Sequence, residues 1–230
     1  FADPTSPNQL PMSIAENLKH IRQSLPPHVH LVAVSKTKSP EEIMQAYQAG
    51  QRIFGENKVQ EMVGKYEALP RDIEWHMIGH VQRNKVKYMA PFVSLIHGVD
   101  SLRLLREIDK RALQNQRVVD CLLQVHIARE STKFGFDRQE LMELLESGVL
   151  RELPNVCIRG LMGMATFTED QQQVRLEFRD LKAHFEKLQE HVNTADTLSM
   201  GMSGDYGIAI EEGSTMVRIG SSIFGPRNTA

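Results

Sequence analysis

Hydrophobic positions along the 230-residue chain follow two different patterns. Short apolar runs without alternation, such as residues 31–34, are typical of strands buried on both faces, as in a parallel sheet covered by helices. Between these runs, apolar residues recur at helical spacing, as at Ile14, Leu18 and Ile21. The pattern therefore predicts strands and helices that alternate along the chain.

Capping residues mark where several of these helices begin. Ser13 with Glu16 three residues later is a capping box, and Ser39-Pro40 opens a second helix that ends before Gly50. The predicted strands lie at residues 30–37, 52–57, 74–80, 95–99, 120–127, 156–164, 197–202 and 216–224. The predicted helices cover residues 13–25, 39–49, 58–66, from 83, from 100, 137–148, 170–192 and 205–211.

Eight strands, seven of them separated from the next by one helical segment, predict an α/β fold. A single (β/α)8 TIM barrel fits this order and needs roughly 200 to 250 residues. An open doubly wound sheet remains the alternative, because the same alternation allows it. No linker or break in composition marks a second domain, so we expect one barrel domain over residues 12–230. Residues 1–11 are expected to be a disordered arm or an expression remnant, with Met12 as a candidate natural start.

Charge and composition argue against several classes of partner. The 27 basic and 29 acidic residues are intermixed and give a net charge of −2, so neither nucleic acid nor an anionic membrane is an expected partner. No apolar segment approaches transmembrane length. Cys121 and Cys157 lie in or beside apolar strands, which favours reduced thiols and a cytoplasmic location. We expect a monomer.

The residues that carry chemistry follow the predicted strands. Lys36 ends the first buried strand, and in barrels the carboxyl ends of the strands form the ligand-binding rim. For Lys36 taken alone, a side chain that merely reaches solvent is the alternative. The same rim would collect Glu56, Asn57, His80, Asp100, the loop 129–133 with Lys133, Thr166, Ser203, Gly204, Gly220 and Ser221.

Two glycine corners follow the last two strands, at Ser203-Gly204 and Gly220-Ser221. Backbone N–H groups and hydroxyls at such corners can face an anion, and their place matches the usual phosphate site of the barrel fold. Each corner taken alone is also compatible with an ordinary structural cap. Alternation puts Arg218 on the same face as Met216, and if that face is the barrel interior the guanidinium must meet an acid or a ligand atom.

Other chemistry finds less support. His76 and His80 have i, i+4 spacing, but Gly79 and the surrounding strand pattern make a helical zinc motif improbable. Neither a GxxxxGK[ST] loop nor a GxGxxG motif is present, which argues against nucleotide-dependent chemistry.

Six ordered segments carry a family resemblance over about residues 12–227: LVAVSKT at 31–37, FGENKVQE at 54–61, WHMIGHVQRNK at 75–85, GLM at 160–162, LSMGMS at 198–203 and GSTMVRIG at 213–220. Together they resemble the YggS/PROSC family of pyridoxal phosphate homeostasis proteins, whose fold is similar to the barrel domain of alanine racemase. The chain departs from the family pattern at Lys58, where an aromatic residue is usual, and at His126, where Asn is common.

The resemblance implies that Lys36 holds pyridoxal 5'-phosphate (PLP) as a Schiff base. It further implies that Arg218 faces the pyridine nitrogen and that Asn57 belongs to the same site. The phosphate would be held by Ser203, Gly204, Gly220 and Ser221. The family is regarded as a carrier or regulator of cofactor and amino-acid balance without established turnover, and apo-PLP enzymes are candidate recipients. We expect Lys133 to assist cofactor exchange.

An amino-acid racemase and a Schiff-base aldolase remain alternatives. A racemase needs a second base on the opposite face of the cofactor, and alanine racemase takes its opposing tyrosine from an extra domain. Of the four tyrosines here, Tyr206 is the only plausible substitute, although its place at a helix start favours a structural role. An aldolase would keep its lysine without bound cofactor.

Overall fold

Eight parallel strands close into a barrel in chain order. The computed structural model describes residues 12–131 and 134–226. β1 pairs with β8, with Val32 opposite Arg218 and Ala33 opposite Ile219. This pairing closes the sheet in chain order, which confirms the predicted TIM barrel and excludes an open doubly wound sheet. The strands are β1 (His30–Val34), β2 (Ile53–Glu56), β3 (Glu74–Met77), β4 (Leu95–Val99), β5 (Val119–Gln124), β6 (Val156–Met162), β7 (Thr197–Ser199) and β8 (Met216–Ile219).

An outer layer of helices covers the barrel. The predicted capping boxes at Ser13 and Ser39 both form, with the side chains of Glu16 and Glu42 returning to the cap N–H groups. The helices are α1 (Ile14–Ser24), α2 (Pro40–Gln48), α3 (Val59–Ala68), α4 (Val86–Met89), α5 (Leu102–Gln114), α6 (Arg138–Glu146), α7 (Gln171–His191), α8 (Tyr206–Glu211) and α9 (Ser221–Phe224).

The last two strands are shorter than the sequence pattern predicts. β7 ends at Ser199, and Gly201 takes a φ of +105°, a conformation that interrupts a strand and suits glycine. β8 ends at Ile219, and residues 221–224 form α9. Ile223 is apolar because it packs into the core from this helical turn, where it is fully buried. The prediction of a strand through residue 224 was therefore wrong.

The core has two parts. A small cluster, to which Val32 and Met216 belong, fills the barrel interior, and a larger cluster lies between the strands and the helices. Cys121 and Cys157 are both free thiols, which agrees with the expectation of reduced cysteines. Within the described part of the chain, none of the helices has the length and apolar character needed to cross a membrane. The expectation for residues 1–11 lies outside the described residues.

Candidate functional site at the carboxyl rim

Lys36 lies on a tight turn two residues beyond the end of β1. The N–H of Lys38 donates to the carbonyl of Ser35 over 3.0 Å and closes the turn. The Lys36 side chain is half-buried. The neighbouring Lys38 makes a different contact, in which its ammonium donates to the carbonyl of Pro226 over 3.3 Å. Lys36 thus follows the first strand, which ends at Val34 and not at residue 37 as the sequence pattern predicts.

Arg218 points into the barrel interior, so the face that alternation assigns to it and Met216 is the inner one. Its side chain is buried, and Nη2 donates to the backbone carbonyl of Gly163 over 3.0 Å. Burial lowers the pKa of Arg218 to about 10, and the charge of Asp205 opposes that shift, so the guanidinium stays protonated at neutral pH. Its buried Nε–H has no hydrogen-bond partner among the described residues. A buried donor without an acceptor is costly, and a ligand atom would relieve that cost.

The two glycine corners have different neighbours. The N–H of Arg218 donates to the carbonyl of Gly201 over 2.9 Å and ties the loop after β7 to β8. Gly220 packs against β1 so closely that an added Cβ would lie 3.2 Å from the Cβ of Val34. The corner at Gly220-Ser221 is therefore held near the turn that carries Lys36, whereas Ser203 and Gly204 line a groove with Ser24 and Pro26.

Backbone donors are available at the second corner. The first hydrogen bonds of α9 come from the N–H groups of Ile223 and Phe224, both to the carbonyl of Gly220 over 2.9 Å. The N–H groups of Ser221 and Ser222 precede this ladder, as the first N–H groups of any helix do. They and the Ser221 hydroxyl are suited to an anion.

Asn57 follows β2 on the same rim and is half-buried. The backbone of Gly79 approaches it so closely that a Cβ at residue 79 would lie 2.5 Å from the Asn57 carbonyl oxygen. Glycine at position 79 therefore lets the chain after β3 pack against the backbone of Asn57.

The far side of the rim is organised differently. His80 Nδ1 lies 3.1 Å from Asp100 Oδ2, and the His80 ring stacks on Phe134 with centroids 3.9 Å apart. Thr166 accepts a hydrogen bond from the Arg129 N–H over 2.8 Å and donates its own hydroxyl to Glu177. Lys133 falls outside the described residues, so its predicted role in cofactor exchange stays a prediction.

A buried ionic group below the Lys36 turn was not predicted. The ammonium of Lys65, on α3, donates to the carbonyl of Ser35 over 2.7 Å and forms ion pairs with Glu56 and Glu61. Burial raises the pKa of Glu56 to about 7, with the Lys65 charge opposing that shift. The only sequence signal was the i, i+4 spacing of Glu61 and Lys65, which is also common on exposed helix faces.

A second unpredicted group crosses the barrel interior. His76 Nδ1 lies 2.9 Å from His97 Nε2, and His97 Nδ1 lies 3.0 Å from the Ser199 hydroxyl. Burial lowers the pKa of His76 to about 3 and that of His97 well below its ordinary value, so both rings are neutral. Histidines and acids form no cluster of three or more metal ligands anywhere in residues 12–131 and 134–226.

Tyr206, the candidate second base, contacts the outer layer. Its hydroxyl oxygen lies 3.5 Å from Ser24 Oγ on α1, and its ring packs against the core beside the helices. This contact fits the structural role that its place at the start of α8 predicts.

Comparison with known proteins identifies the family to which this chain belongs. The family model for the alanine racemase N-terminal domain matches residues 11–228. The pyridoxal phosphate homeostasis protein of Aquifex aeolicus is 47% identical over 199 residues, which cover 86% of each chain. That of Vibrio alginolyticus is 39% identical over 94% of this chain and 98% of its own. The chain belongs to the pyridoxal phosphate homeostasis protein family.

Solved structures agree with this membership. PipY of Synechococcus elongatus, solved without PLP, superposes with a TM-score of 0.88 at 37% identity, covering 93% of this chain and 100% of PipY. PipY has also been solved with PLP bound, and that structure superposes with a TM-score of 0.84. Alanine racemase of Bartonella henselae, at 17% identity and a TM-score of 0.70, shares the barrel fold over 63% of its length. The barrel is thus the shared fold, and this pyridoxal phosphate homeostasis family member matches PipY over nearly its whole length.

Proposed function

We propose that the chain binds PLP at the carboxyl rim through a covalent bond to Lys36 and acts as a carrier in intracellular PLP and amino-acid balance. One observation carries the proposal: the turn bearing Lys36 follows β1, which pairs with the strand β8 that carries Arg218, and Gly220 after β8 packs against Val34 at the end of β1. Family members are named for PLP homeostasis, and PipY has been solved with PLP bound.

The residues at the rim fit this cofactor. The unpartnered Nε–H of Arg218 is a buried donor that suits a ring nitrogen with a free lone pair. The corners at Ser203-Gly204 and Gly220-Ser221 offer hydroxyls and N–H groups to a phosphate, while Asn57 borders the site. When bound, PLP supplies an aldehyde for an amine and an electron sink for a carbanion.

Lys36 and Arg218 have distinct parts in this arrangement. The Lys36 amine condenses with an aldehyde only when unprotonated, and both of its hydrogens leave with the aldehyde oxygen as one water. Arg218 is protonated at neutral pH and donates a hydrogen bond to an unprotonated ring nitrogen. Since a protonated nitrogen makes the stronger electron sink, Arg218 favours holding the cofactor over carbanion chemistry.

We infer that the protein does not turn over amino acids at an enzyme's rate. The support is Tyr206, whose hydroxyl contacts α1 and so leaves Lys36 without an opposing base from that residue. Recipient apo-enzymes, a monomeric state and a cytoplasmic location belong to the same proposal. A racemase would need a base on the second face of the cofactor.

Borohydride reduction of the PLP-loaded protein tests the attachment site. We expect peptide mass mapping to find the pyridoxyl group on Lys36, and Lys36→Ala to lose both the adduct and the visible absorption of the bound cofactor. Lys58→Ala is the matched control, because Lys58 is an exposed lysine after β2 on the same rim. An adduct mainly on Lys38 or Lys133, or an unchanged yield in Lys36→Ala, would contradict the proposal.

A further inference from the structure

The turn that carries Lys36 contains an unfavourable backbone conformation. Thr37, the residue after Lys36, has a φ of +65°. The hydrogen bond from Lys38 N–H to Ser35 carbonyl makes Thr37 the third residue of a four-residue turn, where a positive φ normally selects glycine or asparagine. A β-branched residue rarely adopts this conformation, so surrounding contacts must hold it.

Two side chains of α3 hold the turn at both ends. The Thr37 N–H donates to Glu61 Oε1 over 2.6 Å, a charge-assisted hydrogen bond. At the other end, the Ser35 carbonyl accepts the Lys65 ammonium over 2.7 Å. Glu61 and Lys65 also pair with each other over 3.2 Å. Both neighbours of Lys36, Ser35 and Thr37, are thus held by hydrogen bonds to side chains of α3.

Glu56 at the end of β2 completes the support. Its side chain is fully buried and pairs with Lys65, while the Ser35 hydroxyl donates to Glu56 Oε2 over 3.3 Å. The three acceptors around Lys65 match the three hydrogens of an ammonium. This ionic group lies beneath the turn, and none of its members is among the residues assigned to the cofactor.

We propose that Glu61 and Lys65 are positioning residues that hold the strained turn so that the Lys36 amine faces the rim. The inference rests on the proposed covalent attachment at Lys36 and names what fixes that attachment. Glu61 fixes the Thr37 end and Lys65 the Ser35 end, with Glu56 securing Lys65. Removing Glu61 releases the turn, and the cofactor bond then opens more often.

A double-variant cycle separates this role from general support of the fold. Because a charge-assisted hydrogen bond is lost, we expect Glu61→Ala to speed PLP loss after dilution about tenfold, followed through the visible absorption band. Thr37→Gly accepts the positive φ without strain, so in its background the effect of Glu61→Ala should shrink to about twofold or less. Glu67→Ala is the control, since Glu67 is exposed on the same helix.

Thermal unfolding of each variant without PLP is measured alongside the release rate, to show that the variant is folded. If Glu61→Ala does not fold, Glu61→Gln takes its place, and its amide oxygen keeps the acceptor but not the charge. Equal effects of Glu61→Ala in the wild-type and Thr37→Gly backgrounds, or a release rate like that of Glu67→Ala, overturn this inference while leaving the Lys36 adduct in place. A wild-type protein without the Lys36 adduct overturns the proposed function together with the inference.

Discussion

A hydrogen-bonded chain joins His76, His97 and Ser199. Which atom donates in one of its two bonds decides which atom donates in the other. If His97 donates from Nε2 to His76, its Nδ1 must accept the Ser199 hydroxyl, and the reverse arrangement turns both bonds around. Either ring could take up one proton and keep both bonds, so burial and not the hydrogen-bond pattern keeps the two rings neutral. The barrel interior therefore holds two histidines whose protonation is opposed by desolvation.

The stability of the protein should fall in mild acid because of this pair. The unfolded chain binds protons at histidine near pH 6.5, whereas burial lowers the pKa of His76 to about 3 and also lowers that of His97. The stabilisation is therefore fully present above pH 6.5 and is lost as the pH falls below it, by about 1.4 kcal/mol per pH unit for each ring. Urea unfolding between pH 7 and pH 4.5 measures this slope.

His76→Gln keeps a hydrogen-bonding group without a titrating one, so its slope should be smaller than that of the wild type by the share of one ring, about 1.4 kcal/mol per pH unit. Glu56, whose raised pKa gives stability an opposite slope in this range, contributes equally to both proteins. His28→Gln, at an exposed position, should leave the slope unchanged. Parallel curves for the wild type and His76→Gln would show that the pair does not set the acid sensitivity.

The loop after β7 is tied to the strand β8, since the Arg218 N–H bonds to the Gly201 carbonyl. The sequence predicts both corners, because glycine and serine after the seventh and eighth strands of a barrel mark its phosphate site. It does not predict α9, whose apolar Ile223 and Phe224 extend the strand pattern of β8 without a break.

Loss of the corner hydroxyls should weaken cofactor retention. Each hydrogen bond to a phosphate contributes roughly 1.5 to 3 kcal/mol, so the loss of both in the Ser203→Ala, Ser221→Ala double variant should raise the dissociation constant for PLP at least about a hundredfold. Equilibrium titration followed by absorbance measures the change. Ser222→Ala is the neighbouring control. If the double variant binds PLP as tightly as Ser222→Ala does, neither the Ser203 nor the Ser221 hydroxyl belongs to the phosphate site.

The barrel as a whole was predictable, and the contacts inside it were not. Strand and helix periods depend on nearby residues, and parallel strands bring their carboxyl ends to one rim, so the positions of Lys36 after β1 and of the glycine corners after β7 and β8 follow from the strand order. Contacts such as His97 to Ser199, 102 residues apart, leave no local pattern. The same holds for Lys65 and the Ser35 carbonyl, 30 residues apart.

The proposed carrier function predicts slow chemistry at the α-carbon of amino acids. With Tyr206 held against α1, proton removal at one face has no matching donor from that residue at the other. We expect PLP-loaded protein in heavy water to incorporate deuterium into alanine far below about 1 s⁻¹, the lower end of ordinary enzyme turnover. Lys36→Ala gives the background rate. A Lys36-dependent rate of about 1 s⁻¹ or more would instead establish an enzyme.

The pairing of β1 with β8 has a consequence for how the protein is made. The Lys36 turn and its α3 supports leave the ribosome before Arg218 and both glycine corners, which lie on or after the last two strands of the barrel. Until β8 docks, the nascent chain has the reactive lysine without the groups proposed to retain the cofactor. Barrel closure and completion of the site are therefore one event, and a chain cut short before β8 should leave its lysine unloaded.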